Sequence, residues 1–192
     1  MDTHLEIEFK SLVTQDELYQ IINHFAISED QFFIQENIYF DTKDQQLQEK
    51  LLALRIRKKG ASHKLTLKEG GDKGNLETSQ PLTKEEAHQI EAKGLLPEGC
   101  VKQRLRELGI QDTLHEVTRI VTKRAVIDFH EQKLFFDISS YEGITDYEIE
   151  LETEEYTKGK NVFLAILNKL NITYRPSEPK IYRALQQKHN NK

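Results

Sequence analysis

The stretch Glu6-Ile7-Glu8-Phe9-Lys10 alternates charged and apolar residues without a break. A strand has a side-chain period of two, so Glu6, Glu8 and Lys10 share one face, roughly 7 Å apart at successive steps, and Leu5, Ile7 and Phe9 share the other. The stretch therefore demands a sheet that is apolar on one side and densely charged on the other. A solvated sheet face meets that demand as well as a binding surface does. What separates the two readings is whether the pattern returns.

It returns in strand after strand. From Phe32 to Thr42, Ile34, Ile38 and Phe40 share one face and leave Gln35, Asn37, Tyr39 and Asp41 on the other. Leu51 to Lys58 sets Arg55 and Arg57 against Leu54 and Ile56, and Gly60-Ala61-Ser62 supplies a turn. His63 to Glu69 then places Lys64, Thr66 and Lys68 opposite Leu65 and Leu67, completing a hairpin. Gly70 to Asn75 is glycine-rich but lacks the spacing and Lys-Ser/Thr ending of a phosphate-binding P-loop, so it is a hairpin tip. Leu76 to Leu82 carries Glu77. Glu116 to His130 is a long β-branched strand in which Thr118, Thr122, Arg124 and Asp128 share a face that Ile120 and Val126 interrupt. Leu134 to Ser139 sets Asp137 against Phe136 and Ile138, and Asp146 to Glu152 repeats the opening pattern with Asp146, Glu148, Glu150 and Glu152 on one side.

Helices punctuate these strands. Thr14-Gln15-Asp16-Glu17 is a capping box and starts a helix to about Phe25, with Leu18, Ile21, Ile22 and Phe25 as its apolar stripe. Thr83-Lys84-Glu85-Glu86 starts a second that Gly94 ends. Further helices are predicted over Pro97 to Leu108, around Lys160 to Leu170, and over Ser177 to His189, which carries Lys180 and Arg183. The result is an α+β chain with up to eight antiparallel strands, whose apolar faces receive the helices' stripes. If the sheet closes, its charged faces line a hydrated channel; if it stays open, they meet water as surface ion pairs.

Carboxylates from Glu6, Glu8, Glu148 and Glu150 suit a hard cation such as Mg²⁺ or Mn²⁺. Arg55, Arg57, Lys68, Arg124 and Lys180 suit a linear chain of phosphates. The 192 residues are expected to form a single domain, residues 1–192. Their net charge of −5 argues against broad nucleic-acid binding while permitting a local basic site. The single cysteine, Cys100, excludes an intramolecular disulfide and a multi-cysteine zinc site, and is read as structural. The histidines His4, His24, His63, His88, His115, His130 and His189 show no paired metal spacing. No apolar run approaches the length of a membrane span, so a soluble protein of a reducing cytoplasm is expected, without membrane association and as a monomer or homodimer.

Glu6-Ile7-Glu8-Phe9-Lys10 resembles the ExExK signature of the CYTH domain, or triphosphate tunnel metalloenzyme, superfamily. Supporting matches follow in order: Tyr39-Phe40-Asp41-Thr42, Leu54-Arg55-Ile56-Arg57, Leu65-Thr66-Leu67-Lys68, Lys123-Arg124, Asp137, Glu148-Ile149-Glu150, and Ser177 with Lys180 and Arg183. An isolated ExExK is a weak signal, but the ordered series covers almost the whole chain. The resemblance implies a closed eight-stranded antiparallel β-barrel, a tunnel with a charged interior and helices packed outside, acting as a metal-dependent hydrolase of a small triphosphate. It implies Glu6, Glu8, Asp137, Glu148 and Glu150 as metal ligands. Lys10, Arg55, Arg57, Lys68, Arg124, Lys180 and Arg183 are implied as phosphate ligands, with Glu8 and Lys10 as catalytic residues; Lys64 and Glu77 are left without a fixed register. A class IV-type adenylate cyclase and a non-catalytic polyphosphate- or nucleotide-binding module are the alternatives.

Overall fold

Each alternating stretch becomes a strand of one sheet, and the sheet closes. The computed structural model describes residues 2–191, in the order β1 (Asp2–Val13), α1 (Gln15–His24), β2 (Phe33–Thr42), α2 (Gln46–Glu49), β3 (Leu52–Lys59), β4 (Ser62–Gly71) and β5 (Gly74–Leu82). There follow α3 (Lys84–Lys93), α4 (Cys100–Glu107), β6 (Leu114–Phe129), β7 (Gln132–Tyr141), β8 (Ile144–Thr153), α5 (Tyr156–Lys169) and α6 (Lys180–Asn190). The strands form a closed antiparallel barrel in the order β1-β5-β4-β3-β2-β6-β7-β8, with β8 returning to β1. Closure removes the two free edges that an open sheet would expose.

Period-two alternation now decides what lies inside and outside. The apolar residues of β1, β7 and β8, among them Ile7, Phe9, Phe136, Ile149 and Leu151, pack outward against α1 and α5 through Leu18, Ile21, Phe163 and Leu167. On the opposite flank Ile38, Leu54, Ile56, Leu65 and Leu67 meet Leu47 of α2, Ala87 and Ile90 of α3, and Val101 and Leu105 of α4. α6 packs across one end of the barrel, where Ile181 and Ala184 join Tyr39, Ile120 and Tyr141.

Both predicted capping boxes form: Thr14 Oγ1 accepts from Glu17 N while Glu17 accepts from Thr14 N, and Thr83 and Glu86 do the same. Gly94 ends α3 in the left-handed region at φ 66°, and a Cβ there would lie 2.0 Å from the carbonyl oxygen of Leu114. Some boundaries move for local reasons. α4 starts at Cys100 rather than near Pro97, because the amide of Val101 is taken by the Gln80 side chain at 3.1 Å and the chain reaches that point through Gly99. α5 starts at Tyr156, earlier than its apolar stripe suggests, because the Glu155 carboxylate accepts from the amides of Thr157 and Lys158. α6 starts at Lys180, with Pro179 as its N-cap residue, rather than at Ser177. The short α2 was not legible from periodicity; Asp41 creates it by accepting from the amides of Leu47 and Gln48.

Candidate active site

The inward faces of the strands enclose a cavity of about 530 Å³. Glu6, Glu8 and Lys10 of β1, Arg55 and Arg57 of β3, Lys68 of β4, Arg124 of β6, Glu150 of β8 and Lys180 of α6 all line it. Nine of the expected residues are thus gathered from six elements, although the first and last stand far apart in the chain. Asp137 and Glu148 are fully buried behind the lining, and Arg183 binds Glu148 at 3.0 Å and Asp146 at 3.0 Å. Lys64 is absent from the cavity lining among the described residues.

Two trios of carboxylates stand at and behind the lining, with Glu6, Glu8 and Glu150 exposed to the cavity. Glu6, Glu8 and Glu77 surround the Lys68 ammonium, with Glu8 at 3.6 Å, Glu77 at 3.0 Å and Glu6 in direct contact. Glu148 at 3.2 Å, Glu150 at 2.9 Å and a contacting Asp137 surround the Lys180 ammonium. Arg124 locks the second trio: its Nε and Nη2 donate to Asp137 at 2.6 and 2.5 Å, and Nη2 also donates to Glu150 at 2.6 Å. Lys10 donates to Glu8 at 3.0 Å and joins the two trios along the β1–β8 pairing, where it stands opposite Glu150.

The titration of these groups follows their neighbours. Burial works to raise the Glu8 carboxyl, but the Lys68 and Lys10 ammoniums outweigh it and hold it at about 2. Glu150 is held well below the ordinary carboxylate range, as Lys180, Arg124 and Lys10 overcome its burial. Glu6 goes the other way: burial raises it, and the nearby Glu8 and Glu77 charges add to that against Lys68. Lys68 and Lys180 are both pushed up by their carboxylates despite burial.

The β3 wall is different. Arg57 donates to Asn37 at 3.0 Å, and Arg55 approaches Glu77 only to 3.7 Å while its buried Nε lacks any partner among the described residues. Repulsion from Arg55, then burial and Arg124, lowers Arg57 to about 10. These are cations with unused donors, in a wall where an anion is the missing partner. Tyr39, which strand alternation placed on the polar face without giving it a role, points its hydroxyl among them. Burial works to raise that phenol, and Arg55, Arg57 and Lys68 bring it below its ordinary value. Lys59 and Lys133 extend the lining to the rim, and Ile120, Val126, Phe33 and Phe135 supply apolar patches of wall. The two apolar interruptions in the long β6 strand are therefore cavity-facing positions, not slips of register.

The carboxylates are hard oxygen donors, as Mg²⁺ or Mn²⁺ requires, and each trio already surrounds a positive charge. That charge is an ammonium in both cases, and no group of three or more metal-ligating side chains stands ready among the described residues. The donor chemistry fits a divalent cation, and Lys68 and Lys180 occupy the positions of positive charge between the carboxylates.

This barrel, charged within and clad in helices, is the fold of a known class, and the chain belongs to the CYTH domain family, whose pattern matches residues 4–185. Among its relatives, YjbK of Bacillus subtilis, named as a candidate triphosphatase, is 36% identical over 189 residues, covering 98% of both chains. A crystal structure from Bacillus halodurans, described as a candidate adenylate cyclase, is 39% identical with a TM-score of 0.91, covering 95% of this chain and 98% of that one. HpAC1 from Hippeastrum, described as a candidate adenylyl cyclase with a dominant triphosphatase activity, is 23% identical with a TM-score of 0.77, covering 95% and 96%. The last likeness carries the fold.

Proposed function

We propose that the protein is a divalent-metal-dependent hydrolase of a small triphosphate bound inside the barrel. The observation that carries this reading is the pairing, in one cavity, of a wall of under-used cations, Arg55 and Arg57, with the carboxylates Glu6, Glu8 and Glu150, behind which Glu77, Asp137 and Glu148 complete two trios. A polyanion satisfies the first and a cation the second. Membership of the CYTH domain family and the likeness to YjbK support it.

In this reading Arg55, Arg57, Arg124, Lys68 and Lys180 hold the phosphate chain, and Arg183 positions Glu148 from behind. Glu6, Glu8, Asp137, Glu148 and Glu150 would hold Mg²⁺ or Mn²⁺, which would supply Lewis-acid polarisation of the phosphoryl group and offset its negative charge. Lys10, fixed by Glu8, orients the attacking water. The water oxygen forms a new bond to the terminal phosphorus, the bond from that phosphorus to the bridging oxygen breaks, the water's proton passes to a phosphate oxygen of the products, and the basic residues offset the charge that develops on the leaving phosphates. The described residues 2–191 act as one CYTH domain, with Met1 and Lys192 outside them. No described helix is long and apolar enough to cross a membrane; we place the protein in the cytoplasm.

The likeness to the Bacillus halodurans protein keeps cyclisation of ATP as a second reading. Phosphate release from inorganic triphosphate, ATP, GTP and thiamine triphosphate, with Mg²⁺, Mn²⁺ or a chelator, tests both. Metal-dependent release of orthophosphate is expected; cyclic AMP from ATP without orthophosphate turns the assignment to a cyclase, and binding without turnover to a non-catalytic module.

A further inference from the structure

The barrel wall has a gap. The β1–β5 ladder ends at the pair Glu6↔Asn75, because β5 begins at Gly74. That edge of β1 is covered again only where Pro176 bridges Ser11 and the amide of Leu12 donates to the carbonyl of Arg175 at 2.9 Å. Between these points, among the described residues, the edge of residues 7–10 has β8 on one side and no strand on the other. The hairpin tip is held at the rim of the gap by Gly74, where a Cβ would lie 2.6 Å from the carbonyl oxygen of Glu6.

A second cavity, of about 400 Å³, sits over the gap and shares Glu8, Lys10 and Asn75 with the main one. On its outer side it is flanked by Lys73 of the hairpin tip and Lys160 of α5. Both lysines are exposed, and neither has a carboxylate within ion-pair distance among the described residues. The second cavity thus carries two free ammoniums on its outer side and shares Lys10 with the main one, while Arg55 and Arg57 stand on β3, away from it.

We propose that this lateral window is a separate orthophosphate site and exit port, with Lys73 and Lys160 as its anion-binding flank. The proposal rests on the triphosphatase reading only for the source of the phosphate. An orthophosphate cut from the terminal position beside Lys10 leaves through the window, while the longer substrate enters along the barrel axis past Lys59 and Lys133.

The test is a pair of charge reversals on exposed residues, Lys73→Glu/Lys160→Glu at the window and Lys59→Glu/Lys133→Glu at the axial rim, measured for product inhibition by added orthophosphate and for the KM of inorganic triphosphate. The window variant is expected to raise the inhibition constant for orthophosphate about tenfold while shifting KM less than about twofold, and the rim variant to do the reverse. An unchanged inhibition constant in the window variant, or equal effects on both quantities, overturns the port. Should the wild type turn over no triphosphate, the triphosphatase reading fails on its own. Phosphorus NMR of the wild type and the window variant with inorganic phosphate alone then decides the site: binding lost in the variant supports it, and binding retained or never present overturns it.

Discussion

Arg57 and Arg124 are both arginines facing one cavity, and their surroundings set them apart. Arg124 is held by Asp137 and Glu150 in bonds of 2.5 to 2.6 Å, whereas Arg57 has a single neutral partner at 3.0 Å. Removing Arg124 takes its guanidinium from two buried carboxylates and leaves Lys180 as their remaining direct counter-charge; Arg124→Ala is expected to cost about 3–5 kcal/mol of stability, read by denaturant unfolding. Arg57→Ala also relieves a repulsion with Arg55. It is expected to leave stability within about 1 kcal/mol of wild type and to raise KM for triphosphate about tenfold or more. The sign of the pH dependence follows from Glu8. Its folded pKa of about 2 lies below the ordinary 4.5, so its ionisation supports the fold above pH 4.5 and that support fades as pH falls toward 2. Melting temperatures at about pH 5 and about pH 3 are expected to fall further in the wild type than in Glu8→Gln, which has no carboxylate to protonate. Equal falls contradict the assignment.

At the scale of elements, the strands were legible because their alternation is strict, and the helix starts at Thr14 and Thr83 because a capping box is a local bond pattern. The start of α4 was not, since a side chain on β5, Gln80, sets it from a distance. Ile120 and Val126 looked like defects in a polar face; only the closed barrel shows them as wall. Tyr39 carried no chemical signal beyond its parity, for its setting depends on Arg55 and Arg57 arriving from a neighbouring strand. Gly94 is a legible stop with a measurable cost. Gly94→Ala must relieve both a positive φ and a 2.0 Å contact, and is expected to destabilise by about 1–3 kcal/mol with no change in KM, checked by thermal unfolding beside substrate kinetics.

For the molecule as a whole, alternation left open whether the charged faces meet water or one another, and closure settles it. Nothing local encodes that β1 must pair with both β5 and β8, because those contacts join residues far apart in the chain. The resemblance supplied the closed barrel, and in it Asp137, Glu148 and Arg183 stand behind the lining while Lys180 of α6 reaches into it. The order in which the strands close also produces the lateral gap, which no single stretch of sequence announces. In the proposed reaction the carboxylates and the under-used arginines of one cavity hydrolyse a triphosphate with a divalent cation. It is tested most directly by orthophosphate release from inorganic triphosphate with Mg²⁺, in the wild type and in Glu8→Gln, with far-ultraviolet circular dichroism on both. Turnover by the wild type, lost in chelator and reduced about 10³-fold in a folded Glu8→Gln, is the predicted result. Near-normal turnover in that variant, or turnover indifferent to chelator, contradicts the account.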